Sequence, residues 1–301
     1  MGVLRKVGLV LHPARDSQQA IRTILDWARG KGVEVLGLKE EVQRIDCEAV
    51  AVETAELAAA CDLVISLGGD GTMLRAMRMM HGHRGAILPV NLGRLGFLAE
   101  VDVPDLAAAL GQIDAGEYRV EPRSAVAGSV PAWSAGLTDG GLTESGPTQL
   151  LAFNDIALVR TPGHGLASVE LSVGGQPFLR YAADAVVVAT PTGSTAYSFS
   201  AGGPIISPTV RGLVVTPAAP HSAFNRSVVL DCAETLALSV EPGSGALAVE
   251  VDGVVAGTAE PGTTLELRTD PDAAQVVRLG EATFYQRVRR KLGLVDGASY
   301  R

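Results

Sequence analysis

Gly68-Gly69-Asp70-Gly71-Thr72 follows directly on the apolar run Leu63–Leu67. Glycines let a backbone pass close to a bound phosphate. A helix starting just after them adds partial positive charge through its free N–H groups. Asp70 is the odd member, because a carboxylate in a phosphate-cradling turn repels the phosphate unless it holds a metal ion or takes a proton. A second concentration of polar groups runs from Thr190 to Pro204, where Ala185–Ala189 gives way to Thr190-Pro191-Thr192-Gly193-Ser194-Thr195 and then Ser200-Ala201-Gly202-Gly203-Pro204. Hydroxyls and N–H groups at the end of a buried strand suit a polar, planar ligand such as a nucleotide. Strands flanked by Ser/Thr turns are equally common without a ligand. No Ser/His/Asp or Cys/His set stands out, and no Gly-x-x-x-x-Gly-Lys loop is present. The five histidines form no i, i+4 pair, so a metal site is not expected.

Positioning those residues takes strands that end at them. Met73, Leu74, Met77 and Met80 recur at helical spacing, so the first stretch reads as strand, turn and helix, with Thr72 the natural N-cap. Val7–Leu11, Val33–Leu38 and Ala86–Val90 read as further buried strands. Helices are expected from a Ser17 cap to near Gly30, over Glu48–Ala60 and over Pro104–Ile113. The alternation predicts an α/β domain, a parallel sheet with helices on both faces. Ligands of such sheets sit beyond the carboxyl ends of strands, where both Gly68–Gly71 and Asn91–Phe97 lie. Ala127–Gln149, rich in small and polar residues, reads as a long surface loop. From Leu150 onward, short apolar runs separated by turns such as Gly174-Gly175 and Asp252-Gly253 predict an all-β, sandwich-like domain. Thr283–Leu292 returns to helical spacing, with Arg287, Arg289, Arg290 and Lys291 reading as a solvated face. The expected organisation is an α/β domain over 1–120, rejoined by a C-terminal helix within 282–301, and a β-rich domain over 121–281.

Bulk properties narrow the class. The chain has 301 residues, of which 47% are hydrophobic and only 4% aromatic, so its core is built from Ala, Val and Leu. A formal charge of −8 argues against general nucleic-acid binding, which depends on basic surfaces, and leaves a nucleotide ligand open. Cys47, Cys61 and Cys232 have no metal-site spacing and suit a reducing cytoplasm. No apolar run approaches the ~20 residues of a membrane span, and the start shows no signal pattern. The expected location is cytoplasmic, with no membrane partner.

Taken together, Gly68-Gly69-Asp70-Gly71-Thr72, Asn91 to Glu100, Asn154-Asp155 and Thr190 to Pro204 closely resemble the NAD kinase family. The first motif is shared with lipid kinases and, in a variant, with phosphofructokinases; the last is far more specific. Thr216-Pro217, Pro220-His221 and Val251-Asp252-Gly253 also look like family landmarks. The resemblance covers most of the chain in order, with the Ala127–Gln149 region looking inserted.

The resemblance implies that residues 1–120 form a nucleotide-binding domain and 121–281 an NAD-binding one. The implied reaction moves the γ-phosphoryl group of ATP to the adenosine ribose 2′-hydroxyl of NAD, with magnesium or another divalent cation accompanying ATP. The partners are then NAD and ATP, and the assembly a homodimer or homotetramer. Asp70 takes the role of proton acceptor, and Gly71 contacts the ligand through its backbone. Arg75 is either a phosphate holder or an ordinary surface arginine. Phe97 either packs on adenine or belongs to the core. Asn154 and Asp155 match the family's Asn-Glu pair, with the acid one methylene shorter here. Asp184 faces the nicotinamide end. It is followed by Ala185 where the family usually has Gly, and preceded by Ala182-Ala183 where a basic residue is frequent; Arg180 is near. Thr195, Ala196, Tyr197 and Ser200 line the dinucleotide pocket. The competing readings are a lipid kinase sharing the glycine motif and a non-catalytic NAD-binding sensor.

Overall fold

The computed structural model describes residues 4–93, 96–130, 148–163, 165–280 and 284–294. The chain forms two compact units, Met1–Pro122 with Ala273–Arg301, and Arg123–Asp272.

The first unit begins with β1 (Lys6–Leu11), α1 (Gln18–Lys31), β2 (Glu34–Leu38), α2 (Lys39–Ile45), β3 (Val50–Val52) and α3 (Thr54–Ala60). It continues with β4 (Leu63–Gly68), α4 (Asp70–Met80), β5 (Ala86–Asn91), β6 (Val101–Asp102) and α5 (Leu106–Ala115). The strands pair in parallel in the order β3-β2-β1-β4-β5, with Val7 opposite Val35 on one side and Leu63 on the other. Alternate residues explain why both faces are covered. Leu9, Ile65 and Leu67 pack with Ile21, Ile24 and Leu110 of α1 and α5. On the opposite face Gly8 leaves room for α3; a Cβ there would stand 2.7 Å from Leu57 Cδ2.

Two local expectations change. The alanine-rich segment from Glu48 is not one helix, because Val50-Ala51-Val52 pairs with Leu36-Gly37-Leu38 as an edge strand and only Thr54–Ala60 is helical. Thr72 is not the N-cap of α4. Gly69 holds that place in extended backbone, and its carbonyl accepts the N–H groups of Thr72 (3.1 Å) and Met73 (3.2 Å), while Thr72 is buried against Gly68.

The second unit is built from antiparallel strands. β7 (Tyr118–Val130) and β8 (Thr148–Ala152) lead in, so the ends of the expected surface loop are strand and its middle, 131–147, lies outside the described residues. Then follow β9 (Asp155–Arg160), β10 (Ala167–Val173), β11 (Gln176–Ala183) and β12 (Ala185–Ala189). A 3-10 turn at Gly193–Thr195 and the short α6 (Tyr197–Ser200) come next. β13 (Gly212–Ala218), β14 (Val228–Asp231), β15 (Thr235–Val240), β16 (Leu247–Val251), β17 (Val254–Ala259) and β18 (Thr264–Leu279) complete it. One sheet runs β14-β13-β12-β9-β16-β17, and β10 pairs with β11 and β15 in the opposing layer. Ile156, Val186 and Val188 from the first layer meet Val169, Leu238 and Leu265 from the second in a continuous apolar core. This is the sandwich arrangement that alternating inward residues produce.

From Ala273, β18 belongs to the first unit, where Val276 pairs in parallel with Ile87. The last helix, α7 (Phe284–Leu292), is also part of that unit. Its Arg287 is not on a solvated face as the charge run implied. It is buried and reaches Glu100 at 3.5 Å; Glu100 also accepts Arg278 at 2.6 Å and the Leu279 N–H at 2.8 Å. Burial and the nearby Arg278 lower the Arg287 pKa. No helix among the described residues is long and apolar enough to cross a membrane.

Candidate active site

In the first unit the candidate residues gather at the carboxyl ends of β1, β4 and β5. Gly68 ends β4 where a Cβ would strike Thr72, whereas a Cβ on exposed Gly71 would meet open space. Asp70 opens α4. Its carboxylate accepts the backbone N–H of Phe97 and of Leu98, each at 3.1 Å. The loop that offers those donors is itself fastened. Asn91 Nδ2 donates to the Gly93 carbonyl and to Asp102 Oδ1, both at 2.9 Å, and Asn91 Oδ1 accepts the Gly93 N–H at 3.1 Å. Gly96 is required at its position because a Cβ would run into the Asp70 carboxylate. A carboxylate has about four lone-pair sites, so two backbone donors orient Asp70 and leave it able to accept a hydroxyl proton. Phe97 is half-buried, with Lys291 Nζ 5.7 Å from its ring centroid.

Arg75 is engaged at the end of β1. Its Nη2 donates to the Leu11 carbonyl at 2.6 Å and pairs with Glu41, a buried acid that also accepts the Leu11 N–H at 2.8 Å. Just beyond, His12 Nδ1 accepts the N–H groups of Ala14 (3.0 Å) and Arg15 (3.1 Å), closing a tight turn. Burial lowers the His12 pKa, helped by the charges of Arg15, Arg44 and Arg75. Arg44 donates to the carbonyls of His12 and Pro13. Arg15 Nη1 is buried and has no hydrogen-bond partner among the described residues.

In the second unit the candidate residues line the β9–β12 pair and the turn after it. Asp252, at a positive φ of 49° in the turn between β16 and β17, accepts the N–H groups of Phe153 (3.2 Å), Asn154 (2.6 Å) and Asp155 (3.3 Å). The Asn154 carbonyl accepts the Thr190 N–H at 2.9 Å, and Gly193 packs so closely on the Asn154 backbone that a Cβ would overlap it. Asn154 is thereby held between the Asp252 turn and the hydroxyl-rich segment that opens at Thr190. Asp155 is 3% exposed, and burial, followed by the charges of Asp252 and Glu250, pushes its pKa up to about 7. Thr195 is buried, with its hydroxyl on the Thr192 carbonyl; Ala196 and Tyr197 are half-buried and Ser200 is exposed. Burial first, then Glu250, Asp155 and Asp184, raise the Tyr197 pKa.

Asp184 sits just before β12 and Asp155 opposite its far end, since Ala185 pairs with Val159 and Ala189 with Asp155. The two acids therefore stand near opposite ends of the β9–β12 pair. Arg160 Nε meets Asp184 Oδ1 at 2.7 Å, so a cation stands beside Asp184 in space although Ala182-Ala183 precede it in sequence. Arg180 is turned elsewhere, to Glu170 and Glu241.

Sequence reasoning does not single out Arg160, Asp252, Glu41 or Arg15 as contacts. Asp252 is visible in sequence as a turn and within the landmark Val251-Asp252-Gly253, but neither names its partners; the others depend on contacts between distant segments. Among the described residues no three His, Cys, Asp or Glu side chains gather as a metal group.

Sequence models of the ATP-NAD kinase N-terminal domain and C-terminal domain match residues 7–118 and 153–279. NAD kinase 1 of Streptomyces avermitilis is 37% identical over 97% of this chain and 88% of its own length. Yeast NADH kinase, solved in complex with NADH, superposes with a TM-score of 0.84 at 22% identity, over 100% of this chain and 90% of that one. An NAD kinase from Archaeoglobus fulgidus, solved in complex with ATP, gives 0.71 at 22% identity, over 97% and 100%. At that identity the two solved structures share the fold.

Proposed function

The chain belongs to the NAD kinase family and phosphorylates NAD; from that premise we propose that ATP is the donor, the adenosine ribose 2′-hydroxyl the acceptor, and Asp70 the group that receives the proton. The observation that carries the reading is the Asp70 carboxylate, oriented by two backbone N–H groups at the head of α4 beside the open side of Gly71. A ribose hydroxyl is a poor nucleophile at neutral pH. A positioned carboxylate that takes its proton as the phosphorus–oxygen bond forms lowers the barrier. The remainder of phosphoryl transfer is alignment and charge neutralisation. Magnesium enters as part of the substrate, MgATP.

In this reading the second unit binds NAD. Asn154 offers a donor and an acceptor to an adenine edge, Asp155 accepts from a ribose diol, and Asp184, steadied by Arg160, takes the amide of the nicotinamide end. Thr195, Ala196, Tyr197 and Ser200 contribute to the same site; Phe97, in the first unit, is assigned to nucleotide binding there. Arg75 is assigned to the scaffold. A cytoplasmic homodimer or homotetramer completes the proposal, on the strength of the family resemblance.

The test is NADP formation from NAD and MgATP by wild type and Asp70→Asn, with the product's phosphate located by phosphorus NMR. A 2′-phosphate from wild type and a loss of about 10²-fold or more in the variant, the scale of a lost general base, supports the reading. A variant as fast as wild type removes Asp70 as proton acceptor.

A further inference from the structure

We propose that Arg15 is the guanidinium that holds the polyphosphate of the phosphoryl donor. The proposal rests on the phosphoryl-transfer reading above and names the residue that reading lacks, since Arg75 is committed to Glu41 and Leu11.

Arg15 Nη1 is buried and makes no hydrogen bond among the described residues. A charged donor kept from water without an acceptor is costly. A ligand that supplies anionic oxygens recovers that cost, so the penalty of burying the donor returns as affinity. The position fits such a ligand. Arg15 Nη1 lies where a Cβ on Gly93 would stand 3.1 Å away and one on Gly69 3.8 Å away. The guanidinium therefore runs beside the turns that end β4 and β5, on the side that glycines leave free of side chains, while the residue as a whole is half-buried.

Neighbouring charges point the same way. His12 has its pKa lowered by burial first and then by the charges of Arg15, Arg44 and Arg75, which places the three guanidiniums close together. Arg44 donates to backbone carbonyls and Arg75 to Glu41 and the Leu11 carbonyl, so of these three it is Arg15 whose buried donor still lacks an acceptor among the described residues. The planar fork of arginine suits bridging phosphate oxygens better than a lysine's single point of charge. The His12 turn, closed by the N–H groups of Ala14 and Arg15, fixes the backbone from which the side chain departs.

The experiment titrates inorganic tripolyphosphate, a non-hydrolysable ATP analogue with magnesium, and adenosine into the full-length chain by calorimetry. Wild type, Arg15→Met, Arg15→Lys and Arg75→Met are compared. Arg15→Met is expected to weaken tripolyphosphate and the ATP analogue by roughly 10- to 100-fold, as for a lost charged hydrogen bond. Adenosine affinity and the KM for NAD stay unchanged, and Arg15→Lys recovers part of the loss. Arg75→Met is expected to bind tripolyphosphate like wild type. Tripolyphosphate and ATP-analogue affinities within about two-fold of wild type in Arg15→Met overturn the proposal, as does wild type that binds no tripolyphosphate. If Arg15→Met does not fold, Arg15→Lys carries the test, with a several-fold loss confined to phosphate-bearing ligands. These titrations need no turnover, so a chain that fails to make NADP overturns the reaction assignment while Arg15 is still judged on binding.

Discussion

The carboxylate of Asp70 and the backbone of Leu98 are joined by a 3.1 Å hydrogen bond, and the Phe97 N–H reaches the same carboxylate at the same distance. Helix α4 and the loop after β5 thus share one anchor, and that anchor is the proposed proton acceptor. An amide in place of Asp70 retains a single acceptor oxygen. Asp70→Asn is therefore expected to lose about 1 kcal/mol of stability beside its ~10²-fold loss of turnover. Urea unfolding monitored with the kinetic assay separates the two effects. Slower turnover with unchanged stability would mean the loop keeps both bonds.

Gly96 gives an independent handle on the same geometry. A Cβ there runs into the Asp70 carboxylate, so Gly96→Ala is expected to turn it away without altering its chemistry. The predicted result is turnover slowed by roughly 10-fold or more, the direction expected when a catalytic group is displaced by a fraction of an ångström to about 1 Å. KM for NAD should hold. Steady-state kinetics decides it, and an unchanged turnover rate would show that the carboxylate tolerates the shift.

Arg75→Met tests the scaffold role. Glu41 is buried and holds the Leu11 N–H as well as Arg75. Because Arg75 itself is 42% exposed, the pair is partly screened, and the expected cost is about 1–2 kcal/mol. The urea midpoint should fall while ATP affinity stays near wild type. A large loss of ATP affinity without loss of stability would return Arg75 to the phosphate site.

Strand ends and glycine turns are readable in the sequence because each is a local pattern. Leu63–Leu67 running into Gly68-Gly69 announces a buried strand and a close-approach turn from adjacent residues alone. Partnerships are not readable, for the same reason. Nothing near Asp184 reveals that Arg160 lies beside it, since their meeting depends on β9 pairing with β12. The charge run in α7 suggests a solvated face because the sequence does not display Glu100 underneath Arg287. Val50-Ala51-Val52 blends into an alanine-rich helical pattern, and only its pairing with β2 makes it a strand. Arg15 carries no motif, and the lack of an acceptor for its Nη1 among the described residues emerges only in three dimensions.

Asp155 should make stability depend on pH in a distinctive sense. Buried beside Asp252 and Glu250, its carboxyl holds its proton up to about pH 7, whereas the unfolded chain releases it near about 4. The native state binds more protons in that window, so this group's stabilisation is present at low pH and is lost as pH rises from about 4 to about 7. Asp155→Asn removes that dependence. Relative to wild type, the variant is expected to gain roughly 2–3 kcal/mol between about pH 5 and pH 8. Thermal or urea unfolding across that range checks it, and parallel pH curves for the two proteins would refute it.

The pairing of Val276 with Ile87 sets a timetable for biosynthesis. The ribosome finishes β5 long before it has made the strand that completes it, about 190 residues further on. At ~5–20 residues per second that is an interval on the order of 10–40 s. During it the amino-terminal sheet stands with an incomplete edge, and Glu100 lacks the Arg278 and Arg287 that neutralise it. The intervening sandwich, uninterrupted in the chain, can close while still near the exit tunnel. The nascent chain's vulnerable moment therefore belongs to the part made first, and the emergence of Val276, Arg278 and Arg287 from the ribosome is the event that ends it.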